Sequence, residues 1–170
     1  MVLLKKKEVS KLRIGSRVFH PAHGVVTVLG IEQREMGPST LDFYVLGLAR
    51  GGTLLLPVGN VGQANVRDLV SATKARELME RVRTAAPTTR TKVAWRERAA
   101  TYKDGMRSGS ADRYTEILSE LLFRARAEKL SAGDQQVLDM AHGHFVGEIG
   151  AVLDRSPVEI EAGLGESGGS

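Results

Sequence analysis

The sequence predicts an α+β protein, a small strand-rich module followed by a helical one, and three observations carry that expectation. Up to about residue 65 the apolar residues come in short or alternating runs, Arg17–Phe19, Val25–Glu32, Phe43–Leu48 and Thr53–Val58, cut by glycine and proline. That spacing suits a small, strongly bent antiparallel sheet or barrel. From Ser71 the apolar period becomes helical, beginning with Leu78, Met79 and Val82. The charge is also uneven along the chain, with a net +4 over residues 1–71, +6 over 72–130 and −6 over 131–170. A basic middle beside an acidic end puts a positive face on one module, as a phosphate-binding surface requires, although a solvated helix surface looks the same in a charge count.

In chain order, residues 1–13 read as a basic leader, Lys5-Lys-Lys7 with Lys11 and Arg13, that frays rather than targets. Four or five strands fit between Ile14 and Asn65. Gly15, Gly24, Gly37-Pro38 and Gly51-Gly52 supply the turns, and Pro21 bars a continuous central strand. A first helix follows Ser71 or Thr73 as cap and ends before Pro87, and Thr84–Thr91 reads as a hinge or loop. The second runs from Lys92 to Met106, with Gly105 and Gly109 marking its exit. A third, Ala111 to Lys129, sets Tyr114, Ile117, Leu118, Leu121 and Leu122 on one buried stripe. Leu130-Ser-Ala-Gly-Asp134 then stops that helix and caps a fourth, which carries Val137, Leu138, Ala141, Phe145, Ile149 and Leu153 at helical spacing. Ser156-Pro-Val-Glu159 starts a short terminal helix, and residues 163–170 form a glycine-serine tail expected to be disordered.

Several function classes find no support. There is no cysteine, hence no disulfide, zinc-thiolate site or cysteine nucleophile. No apolar run approaches the roughly 18 residues that span a bilayer, so a soluble, cytoplasmic protein with no membrane contact is expected. The glycines form neither a phosphate loop nor a dinucleotide fingerprint, and no Gly-x-Ser-x-Gly elbow occurs. His20 with His23, and His142 with His144, lack cysteine or carboxylate support, so neither metal nor cofactor is expected. The distinctive stretch is Val93-Ala-Trp-Arg-Glu-Arg98, which holds the only tryptophan. A flat indole among cations suits either a core anchor between modules or a surface wedge against nucleic acid.

Over roughly residues 12 to 155 the chain resembles the CarD/CdnL family of bacterial transcription regulators. The segments that carry the likeness are Ile14-Gly-Ser-Arg-Val18, His20-Pro-Ala-His-Gly24, Ile31-Glu-Gln-Arg34, Phe43-Tyr-Val-Leu46, Leu56-Pro-Val58, Val66-Arg-Asp68, Trp95-Arg-Glu-Arg98, Leu130-Ser-Ala-Gly133 and Val146-Gly-Glu148. Their order and spacing, more than any one of them, make the match specific. The resemblance implies a Tudor-like barrel, residues 14–70, that docks on the RNA polymerase β subunit. It also implies a helical domain, residues 71–162, that meets promoter DNA near the upstream edge of the transcription bubble. Trp95 matches the family's wedge tryptophan, which opposes bubble collapse and so stabilises the open complex. Such a factor needs no active site, and a monomer associated with the nucleoid through polymerase is expected.

The resemblance assigns Arg34 and Leu55 to polymerase binding, and Trp95, Arg96, Arg98 and Arg124 to DNA. Departures accompany it. Glu97 stands where the family commonly has arginine, Ala100 where a basic residue is common, and Gln135-Gln136 where lysine or arginine often follows the fourth-helix cap. Leu55 replaces an arginine before the final Leu-Pro. Weakened DNA affinity and a partly rewired polymerase contact follow. The barrel up to about Ser71 is expected to fold alone. Two other classes stay open: an interaction module that binds polymerase or another protein with little DNA contact, and an enzyme whose polar residues converge in a pocket that spacing does not reveal.

Overall fold

The computed structural model describes residues 11–85 and 95–165, and of Trp95 and Arg96 the backbone alone. Most of the expected leader and of the Thr84–Thr91 hinge, and the expected start of the second helix at Lys92, lie outside the described residues. Five strands come first: β1 Arg17–His20, β2 Gly24–Met36, β3 Ser39–Leu48, β4 Thr53–Pro57 and β5 Arg67–Asp68. They pair antiparallel in the order β4-β3-β2-β1-β5. Alternation does what period-two patterning dictates. Val26, Val28, Tyr44, Leu46 and Leu56 point inward, joined by Val18, Val61 and Val66, to form the core of the sheet module.

Two features of this module exceed what the spacing predicts. The β2–β3 hairpin continues through Met36 and Ser39, with residues 31–42 all exposed. Apolar alternation cannot announce an arm that buries nothing; it is held by its own ladder and by a turn at Gly37, where φ is 65°. The two-residue β5 is too short to leave a periodic signal and exists because it pairs with β1.

Five helices follow: α1 Ala72–Arg83, α2 Trp95–Arg107, α3 Ala111–Ala127, α4 Ala132–Leu153 and α5 Pro157–Gly165. Serine hydroxyls start three of them by accepting the backbone N–H three residues on, Ser71 from Lys74, Ser110 from Arg113 and Ser131 from Asp134. Each such cap stabilises its helix by about 1 kcal/mol. Ser156 and Glu159 exchange side-chain and backbone bonds in a capping box before α5.

The core of the helical module gathers Tyr114, Ile117, Leu118 and Leu121 of α3 with Leu138, Ala141, Phe145 and Ile149 of α4. Phe19 of β1 belongs to this core and not to the barrel's. As expected, α2 exits between Gly105 and Gly109, ending at Arg107. A side chain at Gly105 would meet Ile117 Cδ1 at 2.8 Å, so this glycine also lets α2 lie close to α3. The expected disordered tail begins as helix, because Gly163 packs on Met79 and Leu164 on the core, carrying α5 to Gly165.

Candidate functional site

Residues opposite one another in a ladder share a face, so the register defines the outside of the barrel. Val45 lies opposite Leu55, Phe43 opposite Pro57, Glu32 opposite Phe43 and Arg34 opposite Leu41. Arg34 and Leu55 therefore sit on the same outer face, with half-buried Val45 and Phe43 between them. A bulge between Val28 and Gly30 makes this possible. The extra residue, Leu29, turns its side chain outward over Gly47, and beyond it the even-numbered residues of β2 point out instead of in.

Arg34 Nε donates to Glu32 Oε1 at 2.8 Å, an exposed pair that contributes little to stability. Exposed apolar side chains collect on this arm, with Leu29, Ile31, Met36 and Leu41 each 45–55% accessible. Among the described residues strand β4 pairs on one side only, which leaves a row of backbone donors and acceptors at the sheet edge.

Helix α2 opens with Trp95, but the side chains of Trp95 and Arg96 lie outside the described residues. Arg98 and Arg124 do not act as free surface cations. The Arg98 Nη2 donates to Asp134 Oδ2 at 3.0 Å, and the two side chains are 17% and 12% exposed. Asp134 is itself the third residue of α4, so this pair ties the start of α2 to the start of α4. Arg124, with its side chain 12% exposed, lies between Glu120 and Glu128 at 3.5 and 3.8 Å. Tyr102 lies beside them; burial first, then Glu120, pushes its hydroxyl well above the usual phenol range, and both guanidinium groups oppose that shift.

The exposed cations of α2 are Lys103 and Arg107, four residues apart and with no side-chain partner among the described residues. At 3.6 residues per turn, position 96 falls on their line and Ala100 lies between. Spacing could have singled out this stripe, and a resemblance that concentrates on the residues next to the tryptophan passes over it.

Between the modules lies a buried polar cluster. Glu148 of α4 is 0% exposed, and its carboxylate accepts from Arg67 Nη1 at 2.6 Å and Nη2 at 2.9 Å, from Val70 N at 3.0 Å and from the Tyr114 hydroxyl at 2.7 Å. Arg67 Nε also donates to the Gly109 carbonyl at 2.6 Å, and its guanidinium carbon stands 4.4 Å over the Phe19 ring. Gly109 has φ 71°, and a Cβ there would come within 2.8 Å of the Asn65 carbonyl, so only glycine admits this approach. Burial, followed by the Glu148 charge, raises the Tyr114 hydroxyl far beyond its ordinary value.

His144, one turn before Glu148, is buried edge-on against Phe19 and donates from Nε2 to the Pro21 carbonyl at 2.7 Å. Burial holds its pKa below the usual imidazole value. His142 instead points to Glu161 at 3.3 Å. Among the described residues no three His, Asp or Glu side chains are grouped to hold a metal. A cleft of about 510 Å³ at the far end of the bundle is lined in part by Arg83, Ser119, Arg126, His142 and Glu161. Its one serine has no hydrogen bond to the histidine among the described residues, so it lacks a nucleophile–base pair. No helix among the described residues is long and apolar enough to cross a membrane.

Two family descriptions match this architecture: the CarD-like/TRCF RID domain over residues 12–70, and the CarD C-terminal domain over residues 77–164, which alone spans more than half of the chain. The chain is also similar to "Putative transcription factor YdeB" of Bacillus subtilis (strain 168), at 19% identity over 151 residues, covering 88% of this chain and 97% of the relative. With a Tudor-like sheet module in front of a helical one and both family domains matched in order, the chain belongs to the CarD-like family of non-enzymatic transcription regulators that interact with RNA polymerase.

Proposed function

We propose that the protein regulates transcription initiation by docking its barrel on the RNA polymerase β subunit while α2 meets promoter DNA at the upstream edge of the bubble, stabilising the open complex. The observation that carries this reading is the shared outer face of Arg34 and Leu55, beside exposed apolar side chains and an open strand edge. A half-apolar sheet face with one cation and an unpaired edge suits a protein partner, which can add a strand or pack across it. On the helical side, Trp95 leads α2, and the line of Arg96, Lys103 and Arg107 supplies phosphate partners. Arg98 ties α2 to α4 through Asp134, and Arg124 is paired along its own helix by Glu120 and Glu128.

Co-purification with RNA polymerase, followed by open-complex lifetime with and without the protein, tests the reading. Arg34→Glu is expected to weaken the polymerase complex, mostly through a slower, salt-sensitive association. An unchanged affinity removes Arg34 from the interface. One observation favours a second reading, an interaction module with little DNA contact: two of the expected DNA cations are already paired internally and Glu97 is exposed. Duplex binding that is absent even at low salt would establish it.

A further inference from the structure

The sequence segments Val66-Arg-Asp68 and Val146-Gly-Glu148 carry family likeness but touch neither proposed partner surface. They meet each other, 81 positions apart. A fully buried carboxylate is costly to desolvate, and apolar side chains of similar size often serve stability as well or better. What the pair supplies beyond stability is direction.

Each of its bonds comes from a different piece of the fold: Arg67 from β5, Val70 from the junction ahead of α1, Tyr114 from α3, and Gly109 from the turn between α2 and α3. Nearby, Asn65 Nδ2 donates to the Arg107 carbonyl at 3.0 Å, so the end of α2 is fastened to the barrel as well. The junction is thus held by a side chain of α4 through the Val70 N–H and does not act as a free linker.

We propose that Arg67 and Glu148 are positioning residues that fix the angle between the barrel's outer face and α2, so that a barrel seated on its partner delivers the tryptophan end of α2 to one place. This rests on the function proposed above. The guanidinium is the suitable cation because its planar fork satisfies both carboxylate oxygens at once while its Nε reaches a third acceptor, which a lysine cannot do.

The test uses the full chain. Two variants are compared with wild type: Arg67→Met combined with Glu148→Met, which keeps apolar volume and removes direction, and Arg67→Lys, which keeps charge and removes the fork. Because the chain has no cysteine, spin labels placed through Thr53→Cys and Asp104→Cys report the distance from barrel to α2. Polymerase affinity and open-complex lifetime are read on unlabelled protein.

Both variants are expected to unfold cooperatively and to bind polymerase as wild type does. They should broaden or displace the distance distribution and lose most of the effect on open-complex lifetime. Folded variants that keep the wild-type distance, or that lose it and still extend the open complex fully, overturn the proposal. If the double variant fails to fold, Arg67→Lys decides alone. If the wild-type protein itself leaves open-complex lifetime unchanged, the proposed function falls, and the distance distribution then decides whether the pair fixes the two modules.

Discussion

The barrel and the helical module treat charge and apolar surface in opposite ways. The β2–β3 hairpin of the barrel leaves Leu29, Met36 and Leu41 about half exposed on the outer face, and Ile31 equally exposed on the opposite one. Among the described side chains the helical module keeps its large apolar residues inside, apart from Met140 and Val158, and brings charged groups inward as well, pairing Arg98 with Asp134 and setting Glu148 under Arg67. An exposed apolar face with a free strand edge suits a protein partner, whereas a helix with an outward cation line suits a polyanion. Buried ion pairs lie at the seams between elements, where orientation matters more than adhesion.

The largest way to break this contrast is at the seam. Glu148→Ala leaves Arg67 and the Tyr114 hydroxyl without their acceptor in a dry site, and is expected to cost about 3–5 kcal/mol. Calorimetry checks it, and a loss below about 1 kcal/mol would mean that the cluster is wet. The isolated barrel should suffer with it. Phe19 and Arg67 are completed by α3 and α4, so residues 11–71 alone should unfold at lower temperature than the full chain.

Trp95→Ala sharpens the comparison next. A core anchor costs about 3–5 kcal/mol when emptied; a wedge costs little in the free protein and shows itself in promoter kinetics. Near-native unfolding with a shortened open-complex lifetime is the expected outcome, and a strongly destabilised protein would place the indole inside.

A smaller effect separates the two kinds of cation in the helical module. Removing Lys103 and Arg107 together should flatten the logarithmic salt dependence of duplex binding by up to about 1.8, at about 0.9 per phosphate contact. Arg98→Ala should change the slope little and the stability more, and the reverse pattern would return Arg98 to the DNA surface. Restoring Glu97→Arg should steepen the slope by about one unit if that side chain meets a phosphate.

The smallest expected effect is a pH dependence. His144 is held neutral by burial, with a folded-state pKa below 6.5. The unfolded chain therefore binds the proton first, so stability is complete above about pH 6.5 and declines as pH falls from there towards the folded pKa. His20, lowered by burial and by His23 and His144, adds in the same direction. Urea midpoints between pH 7.5 and 5 for wild type and His144→Gln measure it; parallel curves would remove His144 from the account.

Much of the fold was legible because it is local. Serine caps, the stripe on α3 and the glycine turns of the barrel each act within a few residues, where spacing carries the physics. The arm from Gln33 to Asp42 escaped because it buries nothing, and β5 because two residues have no period. Arg98 illustrates the limit at the site. Beside a tryptophan in a basic run it reads as a DNA contact, and only Asp134, 36 positions later, reveals its internal partner. The Arg67–Glu148 pair was equally hidden, since no composition or periodicity links two such distant charges.

The bulge at Leu29 makes the parity of residue numbers a carrier of specificity. Beyond it, Glu32, Arg34 and Met36 face one way and Gln33 and Glu35 the other. An insertion or deletion of a single residue between Val28 and Gly30, uncompensated in β3, would exchange the two sets and present a different chemistry without altering composition. In comparing relatives, the count of residues across that point therefore says more about which partner surface a barrel offers than the identities of the residues on either side.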